Sequence, residues 1–306
     1  MPAPDLRGRF MTLAHFGIIL GFVAAFWQAA NYAFTKDAQE KYSLRGIRLL
    51  IAVHVFMGII MLVPFLWLGH YRYVSPETLW HGFLFIAPYL LGQYFSNRAI
   101  ALSDSSIVSP LLTLKIPIMA VMAFFMIGQH FAAQHYLAIA MIMALGFYFS
   151  SLSGRLRLGP LACVLCCCTS YCYSDINMVL FMRHLESRWG VARVFDQVLI
   201  LGTFQYVCCL IPSLPFFAVR RMELRPAQVW QGRWIAISWL VSGMCFVACF
   251  NLAGVVEGNI IQSLRSVIGV VIAYLFFRSY IQDPGTFRKK LFVAGGMFSA
   301  VLIYYL

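Results

Sequence analysis

Two basic residues, Lys115 and Arg265, interrupt long apolar stretches of the sequence. At the centre of a membrane helix a Lys or Arg costs about 2.5–3.5 kcal/mol on insertion scales, so it almost always faces a cavity, the protein interior or a partner. Two such cations could bind an anionic phosphate or carboxylate. Alternatively, they could form structural ion pairs with Asp175 and Asp196, which also lie in apolar stretches. We favour anion binding, and the sequence leaves the alternative open.

A carboxylate, Asp175, lies in the polar patch Tyr171-Cys-Tyr-Ser-Asp-Ile-Asn177 of an otherwise apolar stretch. Burial changes the proton affinity of a carboxyl group, so Asp175 could exchange a proton with a gradient near neutral pH. It could equally be the counter-ion of a buried cation. The residue types do not decide between a proton-coupling site and a counter-ion.

Amide and aromatic side chains form a further group of candidates. They are Trp27, Gln28, Asn31 and Tyr32 in the first apolar stretch, Gln93, Tyr94 and Asn97 in the third, and Gln262 one helical turn before Arg265. Residues three or four positions apart share one face of a helix. We therefore expect them to line a cavity and bind a hydroxylated or cyclic ligand, the alternative being hydrogen bonds between helices.

The nine cysteines all lie between Cys163 and Cys249, and Cys163 and Cys166 form a Cys-x-x-Cys pattern. Because no histidine stands near them in sequence and cysteine packs well as a small apolar residue, we expect packing rather than a metal or redox site. His54, His81 and His135 are scattered, and neither a His-Glu-x-x-His nor a Gly-x-Ser-x-Gly pattern occurs. We expect no enzyme, no metal and no cofactor.

The composition places these residues in a membrane protein. Of 306 residues, 61% are hydrophobic and 11% are charged, against about 45–50% and about 25% in soluble domains. At about 20 residues for each crossing helix, the chain accommodates about ten. Lipid-exposed backbone must satisfy its own hydrogen bonds, so we expect an all-α integral membrane fold.

Ten apolar spans can be drawn. They run over Met11–Phe34, Ile47–Gly69, Leu79–Leu102, Ser105–Ile127, Ala132–Ser150, Leu158–Met182, Val191–Val219, Trp230–Leu252, Val255–Phe277 and Lys290–Leu306. Gly17 and Gly21 form a GxxxG pair that allows another helix to approach closely. Pro110 and Pro117 bracket Lys115 and predict a kink there.

The formal charge of +12 comes mainly from basic residues in the loops, and their distribution predicts the topology. Most Lys and Arg residues fall in loops after odd-numbered spans, which the positive-inside rule places in the cytoplasm, with both termini outside. We expect a bacterial inner-membrane location with an uncleaved first helix. Because no basic soluble face is present, we expect membrane lipids and a small molecule as partners and no nucleic acid. The oligomeric state is not indicated.

The two halves show a weak internal repeat. Lys115 lies in the middle of the fourth span and Arg265 in the middle of the ninth, and the residues around them align. Leu114 and Ile118, for example, recur as Leu264 and Ile268. Two units of five helices, residues 1–154 and 155–306, would enter the membrane with opposite orientations. That arrangement is typical of secondary transporters with a site near the midplane.

The stretch from Asn97 to Pro117, running on to Gly128-Gln129, resembles the end of the first EamA-type repeat of the drug/metabolite transporter superfamily. Asn259-Ile-Ile-Gln-Ser-Leu-Arg265 would be its second copy, and the segment from Trp27-Gln28 to Lys36 is also similar. The second repeat departs from the pattern, because Val267 stands where the first repeat has Pro117.

The resemblance implies a ten-helix fold with a central cavity and transport of small metabolites. In branches that carry phosphorylated sugars or nucleotide sugars, cations on the corresponding helices bind anionic groups, which suggests an anionic substrate for Lys115 and Arg265. Two alternatives stay open. One is a flippase for a phosphorylated lipid carrier, and the other is an intramembrane lipid-modifying enzyme.

Overall fold

The structure is a computed structural model that describes residues 6–103, 108, 111–152, 158–215, 224–265, 267–269 and 284–305. These residues form helices joined by short turns, and no strand occurs among them. The main helices are α1 (Leu6–Lys41), α2 (Gly46–Trp67), α3 (Pro76–Leu102), α4 (Lys115–Ile127), α5 (Ala133–Ser151), α6 (Leu158–Trp189), α7 (Val194–Ser213), α8 (Arg233–Ala253), α9 (Val255–Ser263) and α10 (Pro284–Tyr305). Short helical segments cover His70–Tyr73, Leu112–Leu114 and Pro226–Gln231.

Local sequence explains several helix boundaries. Ser75 precedes α3 and its hydroxyl accepts a hydrogen bond from the Thr78 N–H at 3.1 Å, which satisfies a backbone donor that the first turn leaves free. Gly128 ends α4 with φ +67°, and Gly254 separates α8 from α9 with φ +112°. Both lie in the backbone region where glycine is favoured.

Among the described residues, six helices are long and apolar enough to cross a membrane: α1, α2, α5, α6, α7 and α8. This confirms the all-α membrane class. The Leu112–Ile127 segment and the apolar part of α10 are shorter, and α9 has nine residues up to Ser263. The predicted span ends at Ser105, Val219, Phe277 and Leu306 lie outside the described residues, as does Pro110. Ten crossings therefore stay a prediction.

Helices of the first half pack mainly on helices of the second. The extensive pairs are α1 with α8, α3 with α6, α2 with α7 and α5 with α10, and α4 packs on α9 and α6 while α1 packs on α9. Each helix of the first half can be exchanged for the helix five positions later in the chain, for example α1 for α6 and α3 for α8. The exchange gives the same set of helix pairs. The α1–α8 pair becomes α6–α3 and the α4–α6 pair becomes α9–α1, while α2–α7, α5–α10 and α4–α9 each become themselves.

α1 lies close against α8 at the predicted GxxxG pair. A Cβ on Gly17 would lie 2.8 Å from the Leu252 Cβ, and one on Gly21 would lie 3.0 Å from the Cys249 Sγ. A methyl group at Gly17 therefore requires a shift of the facing helix, and one at Gly21 requires the facing side chains to move slightly.

Gly17→Ala is therefore expected to destabilise the protein by about 1–3 kcal/mol, the usual cost of overpacking. Thermal unfolding in detergent measures the change. Gly159→Ala on α6 is the matched control, because no atom lies within 4 Å of the added Cβ. Equal melting temperatures for the two variants would contradict close packing of α1 on α8.

Candidate functional site

A cavity lies between the two halves. Its polar lining comes from Gln28, Lys115, Asp175, Gln205, Ser242, Gln262 and Arg265, and aromatic and apolar residues form most of the remainder. Small-molecule sites in proteins combine apolar walls with a few convergent polar groups in this way. The structure thus brings both intramembrane cations of the sequence to one cavity.

The ammonium of Lys115 has three partners inside the protein. Its Nζ lies 2.6 Å from the Asp175 Oδ2 and donates to the Gln262 Oε1 at 3.0 Å. It also lies 5.4 Å from the centre of the Tyr171 ring, a distance at which a cation is attracted to the ring face. Lys115 is 5% exposed and Asp175 is 7% exposed, so the ion pair is buried.

Asp175 has a second polar partner. Asn259 on α9 donates its Nδ2 to the Asp175 Oδ2 at 3.1 Å and to the Val255 carbonyl at 2.8 Å. The Oδ1 of Asn259 is buried and lacks a hydrogen-bond partner among the described residues. Asp175 therefore occupies the counter-ion position, one of the two roles that the sequence left open, and it joins α4, α6 and α9.

Arg265 has a different environment. Its Nη1 donates to the Gln28 Oε1 at 3.1 Å, and its guanidinium carbon lies 5.9 Å from the centre of the Tyr32 ring. It is 5% exposed, and its buried Nε has no hydrogen-bond partner among the described residues. Within the described ranges, no carboxylate lies within 4.0 Å of Arg265. The expected alternative of an ion pair with Asp196 is not seen.

Both cations follow a break in a helix. A 3₁₀ turn, Leu112–Leu114, precedes Lys115 at the start of α4, and a turn at Leu264 separates α9 from Arg265. Pro117 accounts for the first break, since it cannot donate a backbone hydrogen bond to the preceding turn. The Cys172 thiol donates to the Lys115 carbonyl at 3.2 Å. The predicted kink at Lys115 is thus a change of helix type.

The two cations have neighbours of the same kinds on equivalent helices. Lys115 contacts a tyrosine and an acid on α6, and Arg265 contacts a tyrosine and an amide on α1. The difference between the two arrangements is the acid, Asp175, against the amide, Gln28. Among the described side chains, one cation is neutralised and the other is not.

A second, smaller cavity adjoins the first, since Tyr89 and Trp239 line both. Gln93, Asn97 and Asn31 line it. The Asn31 amide donates to the Ile235 carbonyl at 2.8 Å and the Ser238 Oγ at 3.0 Å, so it also joins α1 to α8. Gln93 and Asn97 share one face of α3, as their spacing predicts.

Three predicted site residues, Trp27, Tyr32 and Tyr94, are not among the residues that line either cavity. Tyr32 still lies beside the site, because its ring faces the guanidinium of Arg265. Tyr94 is 38% exposed, and its hydroxyl accepts a hydrogen bond from the Arg98 Nη1 at 3.4 Å. Trp27 packs edge-on against Phe26. The physical reason is helical rotation, because Tyr94 follows Gln93 by about 100° around α3 and faces outward.

Sequence reasoning missed Tyr89, Trp239, Gln205 and Asn259. Asn259 had a signal, because it precedes Gln262 by three residues and so shares its helix face. The rings of Tyr89 and Trp239 lie 6.3 Å apart between the cavities, and nothing in the sequence distinguishes them from other aromatic residues in the spans. All nine cysteines are free, six of them buried.

Known proteins provide three comparisons. Residues 15–152 match the model of the EamA-like transporter family. A protein of known crystal structure has a similar fold, with a TM-score of 0.65 and 13% sequence identity over 94% of this chain and 97% of the other. No significant match is found among curated proteins. The similarity of residues 15–152 to the EamA-like transporter family agrees with the resemblance to the drug/metabolite transporter superfamily.

Proposed function

We propose that this chain is a secondary transporter of a small anionic metabolite, working by alternating access between two inverted repeats, residues 1–154 and 155–306. Arg265 carries this proposal. A buried cation is costly unless it is paired, and the described contacts of Arg265 are with Gln28 and Tyr32, which are neutral. A carboxylate or phosphate group in the cavity would complete its coordination.

The packing of the halves supports the transport mechanism. The main pairs between the halves, α1–α8, α3–α6, α2–α7, α5–α10, α4–α9, α4–α6 and α1–α9, stay the same set when each helix is exchanged for the one five positions away, as expected for two related units of five helices. Each unit also has a helix interrupted next to a cation of the cavity. Interrupted helices at a midplane site are typical of transporters built from repeats.

We assign roles to the site residues on this basis. Arg265 binds the anionic group of the substrate, with Gln28 and Tyr32 holding its guanidinium, and Lys115 and Gln262 form the adjacent wall. Asp175 is the counter-ion of Lys115, because its carboxylate is occupied by Lys115 and Asn259. Gln93, Asn97 and Asn31 contact the polar remainder of the substrate or line its exit through the second cavity. No cofactor is required.

Ligand-dependent stabilisation of the purified protein tests the proposal. Sugar phosphates, nucleotides and small carboxylates are expected to raise the melting temperature, since a ligand that binds only the folded state stabilises it. Neutral sugars and amines of matching size are the controls. Stabilisation by neutral or cationic compounds alone would refute an anion site, and stabilisation by lipid phosphates alone would favour a flippase.

Uptake into proteoliposomes then identifies the transported compound. Compounds that stabilise the protein are expected to accumulate in vesicles that contain it and not in empty vesicles. Binding without uptake would refute transport while leaving the anion site. Accessibility of single cysteines introduced at the two termini tests the predicted inner-membrane orientation with both termini outside.

A further inference from the structure

A separate group of polar side chains lies where α3 begins and α6 ends. It consists of Glu77, His81 and His184, whose potential ligand atoms all lie within 4.8 Å of one another. None of the three lines either cavity. Glu77 and His81 are four residues apart and share one face of α3, and His184 comes from α6 in the other half of the chain.

The orientation of His184 is held by hydrogen bonds. Its Nε2 lies 3.2 Å from the Thr78 Oγ1, and its Nδ1 lies 3.8 Å from the Glu77 Oε1. Thr78 is fully buried and its hydroxyl also contacts the Ser75 Oγ at 2.9 Å. When Nε2–H donates to Thr78, the lone pair of Nδ1 points towards Glu77. Metal-ligating histidines are commonly oriented in this way by their second nitrogen.

The remaining contacts place both histidines beside Glu77. The His81 and His184 rings stack with centres 4.5 Å apart, so both imidazoles lie beside the same carboxylate. Arg188 approaches the other carboxylate oxygen, the Glu77 Oε2, at 3.7 Å and leaves Oε1 on the side of the histidines. Two imidazoles and one carboxylate are a donor set that suits Zn²⁺, with a water molecule as the fourth ligand.

We infer that Glu77, His81 and His184 form a binding site for a divalent transition-metal ion of the Zn²⁺ type. The ion would join α3 to α6, and therefore the two halves of the chain, at one end of their interface. Small movements of the three side chains would bring their ligand atoms to the usual distances from a bound metal ion, about 2.0–2.2 Å. The inference does not depend on the proposed transport function.

Zinc titration of the purified, chelator-treated protein tests the site. Zn²⁺ is expected to raise the melting temperature of the wild type at concentrations where Mg²⁺ has no effect. His81→Ala and Glu77→Gln are expected to weaken the apparent Zn²⁺ affinity by about tenfold or more. These two residues are accessible in the structure, so their replacement avoids the folding risk of changing the buried His184. The control is His130→Ala, since His130 is exposed and lies outside the cluster.

Co²⁺ gives a second measurement that does not depend on stability. Visible absorption of tetrahedral Co²⁺ is expected in the wild type and in His130→Ala, and its loss in His81→Ala would assign the ligand. Equal responses of all variants to Zn²⁺ and Co²⁺ would overturn the site and indicate an adventitious ion only. If Zn²⁺ binds as expected while no anion stabilises the protein, the metal site stands and the transport proposal fails.

Discussion

The Asp175→Asn variant is expected to lose about 3–5 kcal/mol of stability, the usual cost of removing one partner from a buried ion pair. The change leaves the Lys115 ammonium, which is 5% exposed, without its carboxylate at 2.6 Å. Hydrogen bonds that Lys115 donates to Gln262 and to the new asparagine cannot replace the lost charge. Thermal or denaturant unfolding in detergent measures the effect, and Lys115→Met combined with Asp175→Asn is expected to recover much of it.

The chain supplies a matched control for this experiment. Lys41 and Asp37 on α1 form the same kind of ion pair at 2.7 Å, with side chains 64% and 50% exposed. Exposed pairs contribute about 0–1 kcal/mol because water screens them, so Asp37→Asn is expected to change stability by less than about 1 kcal/mol. Similar losses for the two single variants would show that Lys115 has another anionic partner.

The Arg265→Gln variant is expected to behave in the opposite way. It should lose the response to anionic ligands, with affinity weakened about thirtyfold or more, which corresponds to about 2 kcal/mol for a buried charged contact. Its stability without ligand should be unchanged or higher, because the described contacts of Arg265 include no carboxylate and its Nε is unsatisfied. Ligand-dependent melting and vesicle uptake measure the two effects separately.

Arg193→Gln is the control for this variant, because Arg193 is an exposed arginine that lines neither cavity. Its response to anions should match that of the wild type. A full anion response in Arg265→Gln would exclude Arg265 as the binding cation. A large loss of stability in the same variant would assign it a structural role.

The sequence predicted which segments form helices better than it predicted which helices pack together. Long apolar runs can satisfy their backbone only as helices, and the cost of a cation at the centre of a span singled out Lys115 and Arg265. The contacts that define their roles join residues that are far apart in sequence. Lys115 and Gln262, for example, are separated by 147 residues. Helical periodicity specifies a face of a helix but not the helix that covers it.

Two local features also show that sequence patterns do not reveal how the two halves pack together. Pro117 predicts the helix break before Lys115. The turn at Leu264 could not be predicted in this way, because Val267 stands where the first repeat has Pro117. His81 and His184 looked unrelated in the sequence, yet their rings are stacked in the fold. In each case tertiary packing between the halves, and not local residue preference, determines the arrangement.

The uncompensated charge of Arg265 has an electrical consequence. With Lys115 neutralised by Asp175, the described part of the empty cavity carries one net positive charge, and a monoanion would cancel it. In the proposed alternating-access cycle, the loaded protein would then change conformation without moving charge, whereas the protein without substrate would move one charge. A membrane potential acts on a moving elementary charge with about 2.3 kcal/mol per 100 mV, so voltage would control the return of the empty carrier and not the delivery of its substrate.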